Sequence, residues 1–574
     1  MKDSSATSYS QVKSRRALII AGVLLVVLGV FGAAGYHLFT GWRARDLATK
    51  AKANFEQGNF RMAWLQINSA RDLRGGDPEV LRAAALIEAG FGRPEALDHL
   101  QQLAAQTQLT PEDLSARGSA ALRHGTDEQF EQAVADLEKA GKVSQAGELR
   151  VARKLRRGDI DRAIAEARTA VAASDDPVLD FNLARLLVQR YRPEFRAGTT
   201  PSAAAVAGSA EAVGIVDALL GTPLRKEVLA FALNEMAGTP ENRLKWADAA
   251  MDDAVTDNAA LLPAAAVLVR SGQKTPQQIH EQLRPVFDAA PLERRAAYAL
   301  WLTGAGMPKE ALTMITAQEA GESTAAFGAR TEALFATENL DAVFAAVESG
   351  GNVDDDVRFS VKARAEYARD HDAKGAEALG EAMVAAAKSG RLEMILSTGD
   401  ALGAARAVDE KLHELCGDPS LSDYVFRVAR DRFSRSGKPS ALDSAFQRVQ
   451  SVSPQSASVQ DYARYRGLLE GKKADLTETA AACSAEPSNV IFRITHALNL
   501  VNHGQSAEAL QAFDDITVFA DQLPDGQLAV IAAVLHANGD DQRARAAVAA
   551  IDPNLLAPGE YALIAPIRTQ SGGN

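Results

Sequence analysis

GNFRMAWLQINSA, residues 58–70, and GDIDRAIAEARTA, residues 158–170, are one phrase written twice. Each opens on a glycine, Gly58 or Gly158, and carries an apolar residue two positions later, Phe60 or Ile160. Alanines stand five and twelve positions after the glycine: Ala63 and Ala70, then Ala163 and Ala170. Ile67 and Ala167 fill the ninth position. A third copy opens at Gly504 and carries Ala509 and Phe513. Weaker copies follow Gly306 (Ala311), Asn339 (Ala342) and Gly539 (Ala544 and Ala547, with Pro553 beyond). Fragments at Gly92, Gly437 and Gly471 fit loosely.

The phrase reads as a helical hairpin. Glycine adopts the left-handed conformation that ends a first helix without a Cβ penalty. The apolar residue two positions on packs the turn. The alanine at the fifth position falls where the two helices cross, and a small side chain lets them approach closely. Upstream of Gly58, Ala51 and Phe55 stand at i and i+4, on one face of a first helix. Pro78 and Pro177 close the second helix and start the next unit. A lone hairpin leaves an apolar face uncovered, so such units stack.

These residues resemble the tetratricopeptide repeat family, whose unit is about 34 residues long. The resemblance rests on Gly58, Phe60, Ala63, Ile67 and Ala70, on Gly158, Ile160, Ala163, Ala167 and Ala170, and on the copy at Gly504. It implies an all-α, right-handed α-solenoid with a concave surface suited to an extended peptide or a partner helix. Pro78 and Pro177 fall later than the family's proline, so longer turns between repeats are expected. The family's peptide-carboxylate clamp uses Lys and Asn at set positions of first helices. The register places Ala48, Lys52, Glu148 and Ala152 there, so a chaperone-tail receptor is not expected.

Ahead of the first copy lies ALIIAGVLLVVLGVFGAAGYHLF, residues 17–39, with no Lys, Arg, Asp or Glu. A helix of that length crosses a hydrocarbon core of about 30 Å. One N-terminal transmembrane helix is therefore expected. Lys13, Arg15 and Arg16 before the run and Gly32-Ala33-Ala34 inside it also fit a cleaved signal peptide. Trp42 stands where an interfacial anchor belongs, which favours a retained span. The positives nearly tie, Lys2, Lys13, Arg15 and Arg16 before the run against Arg43, Arg45, Lys50 and Lys52 after it, but the first cluster abuts the run more closely, so the expected orientation keeps residues 1–16 cytoplasmic and the bulk outside. In a bacterial inner membrane that bulk is periplasmic. Gly29 and Ala33 make a small-xxx-small pair, and a homodimer stays open.

The 574-residue chain carries a net charge of −12, which argues against a broad nucleic-acid footprint. Aromatics make up only 6% of it, alanine is abundant and alternating β-branched runs are nearly absent, a composition that favours helix. The expected organisation is a basic tail (1–16), the anchor (17–39) and N-terminal repeats (40–192). Degenerate helical repeats (193–440), C-terminal repeats (441–570) and a disordered tail (571–574) follow. Breaks are expected at GTTPSAAAVAGSAEAVG (198–214), read as a loose loop leading into a helix, at 350–356, and at 436–439.

No motif for catalysis, cofactor or metal stands out. Phosphate-loop, HExxH, CxxC and GxSxG patterns are absent. His496 and His503 are seven apart, which is not metal-ligand spacing. Asp354, Asp355 and Asp356 lack the alternation of a calcium loop and read as solvated. Cys416 and Cys483 are expected to be unpaired. Arg150, Arg153, Lys154 and Arg157 lie along one helix face and allow two readings. They are either a partner-gripping patch or a solvated face near a helix C-terminus.

The reading is therefore a membrane-anchored scaffold or adaptor for protein–protein interaction, not an enzyme. The setting looks like bacterial envelope proteins that assemble translocation, secretion or polysaccharide-export machinery. The alternative is a carbohydrate-binding factor of surface-polymer export. That role calls for exposed aromatics, and only Trp42, Trp64, Trp246 and Trp301 are present as tryptophans.

Overall fold

A computed structural model describes residues 39–157, 159–196, 200–236, 238–252, 258–486, 489–513 and 523–569. The expected anchor falls on residues outside these, apart from Phe39, the first described residue of a helix running to residue 56. Among the described residues no helix is long and apolar enough to cross a membrane. Gly158 and the tail 571–574 also lie outside the described residues.

Every extended regular element among the described residues is a helix. The chain divides into two compact units, residues 1–179 without 156–158, and residues 180–574 with 156–158. In the first unit, first helices of successive hairpins open at Pro78, Pro111, Val143 and Pro177, a repeat of 32 to 34 residues. In the second they open at Arg225, Asn258, Leu292, Thr324, Asp355, Leu392, Ser422, Ala457, Val490, Asp525 and Pro558. Those spacings run from 30 to 37 residues and close in on 33 to 35 after Ser422. From Arg225 onward the repeat thus runs on through the stretch whose sequence reads as degenerate.

Local chemistry sets the helix starts. Pro78, Pro111, Pro240, Pro276 and Pro439 take the first helical turn, where no N–H is required. Thr110, Thr126, Thr275 and Thr316 close capping boxes with Asp113, Gln129, Gln278 and Glu319. The prolines at 78 and 177 therefore begin helices after short capped turns, with Asp77 capping the first.

The hairpin turns share one geometry. Gly58, Gly306, Gly504 and Gly539 have φ of 78°, 81°, 79° and 76°. The following N–H reaches back to close the first helix: Asn59 to the Asn54 carbonyl at 2.8 Å, Met307 to Leu302 at 2.9 Å, Gln505 to Leu500 at 2.9 Å. Asp159 does the same to Lys154 at 3.0 Å. Ala63, Ala163, Ala311, Ala509 and Ala544 are all buried. So are Ile67, Ala70, Ala167 and Ala170. The closeness of the crossing is measurable: a Cβ on Gly147 would lie 2.6 Å from that of Ala170.

Several expectations are corrected. The copy at Asn339 is displaced by one residue. Glu338 holds the positive φ of 57°, and Val343, five positions on, is the buried residue, while Ala342 is half-buried. Phe60 is 52% exposed and meets Phe55 and Phe91 edge-on at 5.5 and 5.8 Å, so it lids the turn from outside. Most of the stretch 198–214 is the helix Ala203–Leu219, capped by Ser202, with Ala205, Gly208 and Ala212 buried along one side. Asp354 and Asp355 of the acidic triplet are exposed as expected, but Asp356 is not. Asp354 is the N-cap position of helix Asp355–Tyr367, and Asp356 is buried. Arg391 draws it in, donating at 2.7 Å to both Asp354 and Asp356.

Phe513 is half-buried against the large core that spans residues 363–534, and Ile160 is half-buried as well. No disulfide joins the two cysteines. Cys416 is a buried free thiol, and burial pushes its pKa up to about 12.

Candidate binding sites

The basic set on helix Val143–Arg156 is engaged within the chain. Arg150 donates to Glu138 at 2.5 Å. Arg153 donates to Asp127 and lies 4.1 Å over the Phe130 ring, with its side chain 12% exposed. Lys154 is half-buried and Arg157 exposed. The four residues are not brought together as one open patch, because helix Asp127–Lys139 supplies acids and a ring to the first two.

The histidines are likewise used locally. His496 shares a 2.8 Å hydrogen bond with Thr479, and burial lowers its pKa. His503 meets the Ala474 carbonyl at 3.1 Å. Among the described residues no group of three or more His, Cys, Asp or Glu is placed to hold a metal ion. Trp246 is fully buried and donates to Asp217 at 3.0 Å. Trp64 is half-buried under the Arg93 guanidinium at 4.7 Å. Neither presents a free ring to a groove.

Two sites in the second unit went unnoticed in the sequence. The first is an open groove of about 770 Å³ between the successive first helices Leu392–Ala401 and Ser422–Arg435. Leu396 and Val428 form an apolar floor, only 6% exposed each. The rim is charged and internally balanced. Arg432 makes paired 2.8 Å bonds to Asp400 and a 2.6 Å bond to Asp409. That guanidinium holds Asp400 below the usual carboxylate range. Tyr424 donates to Glu393 at 2.8 Å, and burial first, then that carboxylate, pushes its pKa up to about 12.

The second is a partly enclosed pocket of about 320 Å³ in the last repeats. Its walls come from residues far apart in sequence: Arg430 to Asp443, Tyr462 to Glu470, Pro524 to Gln527 and Leu555 to Glu560. It forms because the C-terminal helix Pro558–Thr569 returns onto helix Ala457–Leu469. Tyr465 donates to Glu560 at 2.8 Å across 95 residues. Gly559 sits so near Leu469 that a Cβ would lie 2.8 Å from the leucine Cβ, and Gly526 leaves equivalent room for the Glu560 carboxylate.

One wall holds a buried ion pair. Arg430 Nη1 donates to Asp461 at 2.8 Å, with both side chains 4% exposed. The guanidinium also lies 5.0 and 5.1 Å from the rings of Tyr462 and Tyr465. Desolvation raises the Asp461 pKa against the opposing pull of Arg430. No sequence signal marks this pair, because Arg430 and Asp461 are ordinary helix residues on different repeats.

A scan against protein-family models finds no match, and neither does a search of curated proteins. Among solved structures, the maize pentatricopeptide repeat protein PPR10 is 12% identical, with 92% of this chain and 81% of that chain covered and a TM-score of 0.34. Yeast Tom70 is 11% identical over 87% of this chain and 96% of that chain, TM-score 0.23. Naa15/Naa10 bound to HypK-THB is 12% identical over 94% and 96%, TM-score 0.26. These scores are too low to bear on function. The hairpin turns and the repeat length themselves make this a tetratricopeptide-like helical repeat protein.

Proposed function

We propose that this chain is a protein-interaction scaffold and that the groove between Leu392–Ala401 and Ser422–Arg435 receives an extended segment of a partner protein. The carrying observation is the form of that groove. An apolar floor of Leu396 and Val428 is flanked by charges already paired with one another. Such a surface takes apolar side chains below and backbone amides along the rim without stranding a charge.

The uncharged run 17–39 supports a membrane tether, and the positive residues before it support a periplasmic array. An envelope adaptor for translocation, secretion or export machinery is the setting that joins these two readings. The role is binding, with no chemistry assigned.

A photo-crosslinking amino acid at Ser397, inside the groove, is expected to give discrete protein adducts in cells. The same group at Arg406, exposed on the following helix, is expected to give none of them. Adducts in common from both positions refute the groove reading. Protease treatment of intact spheroplasts, with a tag after Asn574, tests the tether separately. Digestion is expected, and protection until lysis places the array inside.

A further inference from the structure

We infer that the first hairpin lies flat on an anionic lipid surface, with the side that faces away from the next repeat turned to the headgroups. This pose rests on the membrane tether read from the run 17–39. The hairpin is the helix 39–56 followed by helix Phe60–Arg74. Its inner side is filled: Ala44, Ala48 and Ala51 share a core with Ile67 and Ala70 and with Val80 and Ile87 of the next first helix. No described repeat precedes Phe39 to cover the outer side. A terminal repeat ordinarily turns a polar face to water. This one carries Phe39, Trp42, Met62 and Leu65 there, exposed from 49% for Met62 to 65% for Trp42. In later repeats the exposed large apolar side chains, such as Val178, Leu300 and Met394, come one to a helix, which needs no explanation.

Position along the hairpin decides the pose. Phe39 and Trp42 sit at the start of the first helix, their rings 6.3 Å apart. The second helix runs back beside the first, with Phe60 against Phe55 at the turn and Arg74 against Gly41 at the other end. Met62 and Leu65 therefore stand near the far end of the first helix, beside exposed Ala53. The stretch of helix from Phe39 to Ala53 is about 21 Å long. A hairpin upright on Phe39 and Trp42 would hold Met62 and Leu65 that far out in water. Lying flat, it brings both apolar ends to the interface, where aromatic rings and aliphatic side chains settle among the headgroups.

Charge selects the occupant. Residues 39–74 carry seven Lys and Arg against three Asp and Glu, in a chain of net charge −12. Arg43, Lys50 and Arg61 are exposed around the apolar ends. Positive charge gathered on the hairpin next to the tether complements anionic headgroups. A second copy docked through the same face would set that charge against itself.

The test uses the full chain reconstituted in vesicles of equal parts phosphatidylcholine and phosphatidylglycerol. Cys416→Ala and Cys483→Ala clear the background for one fluorophore, on Leu65→Cys or, for reference, on Glu128→Cys, exposed two hairpins further on. Flotation with the vesicles reads the tether, and quenching by spin-labelled lipid reads the docking. The label at 65 is expected to be quenched and the label at 128 to stay bright. Arg43→Glu combined with Arg61→Glu, both exposed, is expected to abolish quenching at 65 while flotation and melting hold. Replacing phosphatidylglycerol by phosphatidylcholine is expected to do the same. Flotation without quenching at 65 overturns the docking and leaves the tether standing, whereas absence of flotation overturns both. Equal quenching at 65 and 128 overturns the docking, as does quenching that ignores the charge reversal and the lipid exchange. A label at 65 shielded from aqueous iodide yet untouched by lipid puts a second copy or another protein on this face, and refutes the lipid.

Discussion

The hairpins that open at Gly58, Gly306, Gly504 and Gly539 and those between residues 370 and 442 make the same turn with different fillings. In the first group the fifth residue after the turn is alanine, and it is fully buried. In the second group it is Gly375, Val408 or Leu442, all buried. The turn residues there, Asp370, Gly403 and Gly437, have φ between 57° and 72°. The larger side chains are accommodated by small ones opposite. A Cβ on Gly399 would lie 2.3 Å from Val408, and one on Gly375 would lie 2.7 Å from the Tyr367 ring. At these two crossings a glycine on one helix faces a larger side chain on the other. Close packing constrains the summed volume, and either helix can supply the small partner.

That comparison can be broken first at an alanine crossing. Ala163→Arg places a long charged side chain in a fully buried position, with an expected loss above about 4 kcal/mol. Unchanged helicity and melting of the variant refute the register. In the other group, Leu442→Ala leaves a cavity that no alanine-filled crossing has, and costs about 3 kcal/mol by denaturant titration. A cost no larger than a surface substitution shows that Leu442 does not fill that crossing.

Turn residues offer a smaller and opposite-signed pair. Gly504→Ala forces a side chain into φ 79° and is expected to cost about 1 kcal/mol. Glu338→Gly relieves φ 57° and is expected to stabilise by about 0.5 kcal/mol. Equal signs refute a shared turn geometry. The smallest effect is on pH dependence. Arg295 and the Thr316 backbone N–H hold the Glu319 pKa down at about 2. A depressed carboxylate contributes stability above its ordinary pKa and loses it as pH falls toward the folded value. Between pH 4.5 and 2, Glu319→Gln is expected to flatten part of the acid loss seen in melting temperature.

Legibility in the sequence followed the filling of the crossing. Gly141 with Ala146 is as regular a copy as Gly58 with Ala63, yet its Val143 is exposed and its neighbours carry no further signature. Gly403 was missed because the phrase was read as requiring alanine. The acidic triplet misled for a related reason. Three aspartates in a row read as solvent-facing, which holds for Asp354 and Asp355, and only Arg391, thirty-five residues beyond Asp356, makes burial of that third one tolerable.

The sequence by itself determined the helical class, the hairpin turn and the repeat, because glycine conformation, proline position and helical periodicity act over a few residues. It also marked the uncharged run 17–39. Only the tertiary structure decided where the repeats meet again. The Arg430–Asp461 pair, the Tyr465–Glu560 contact and the pocket beside them join residues 31 and 95 positions apart. Such contacts depend on small rotations accumulated from one hairpin to the next. No single repeat encodes that sum, so the site it builds has no local signature.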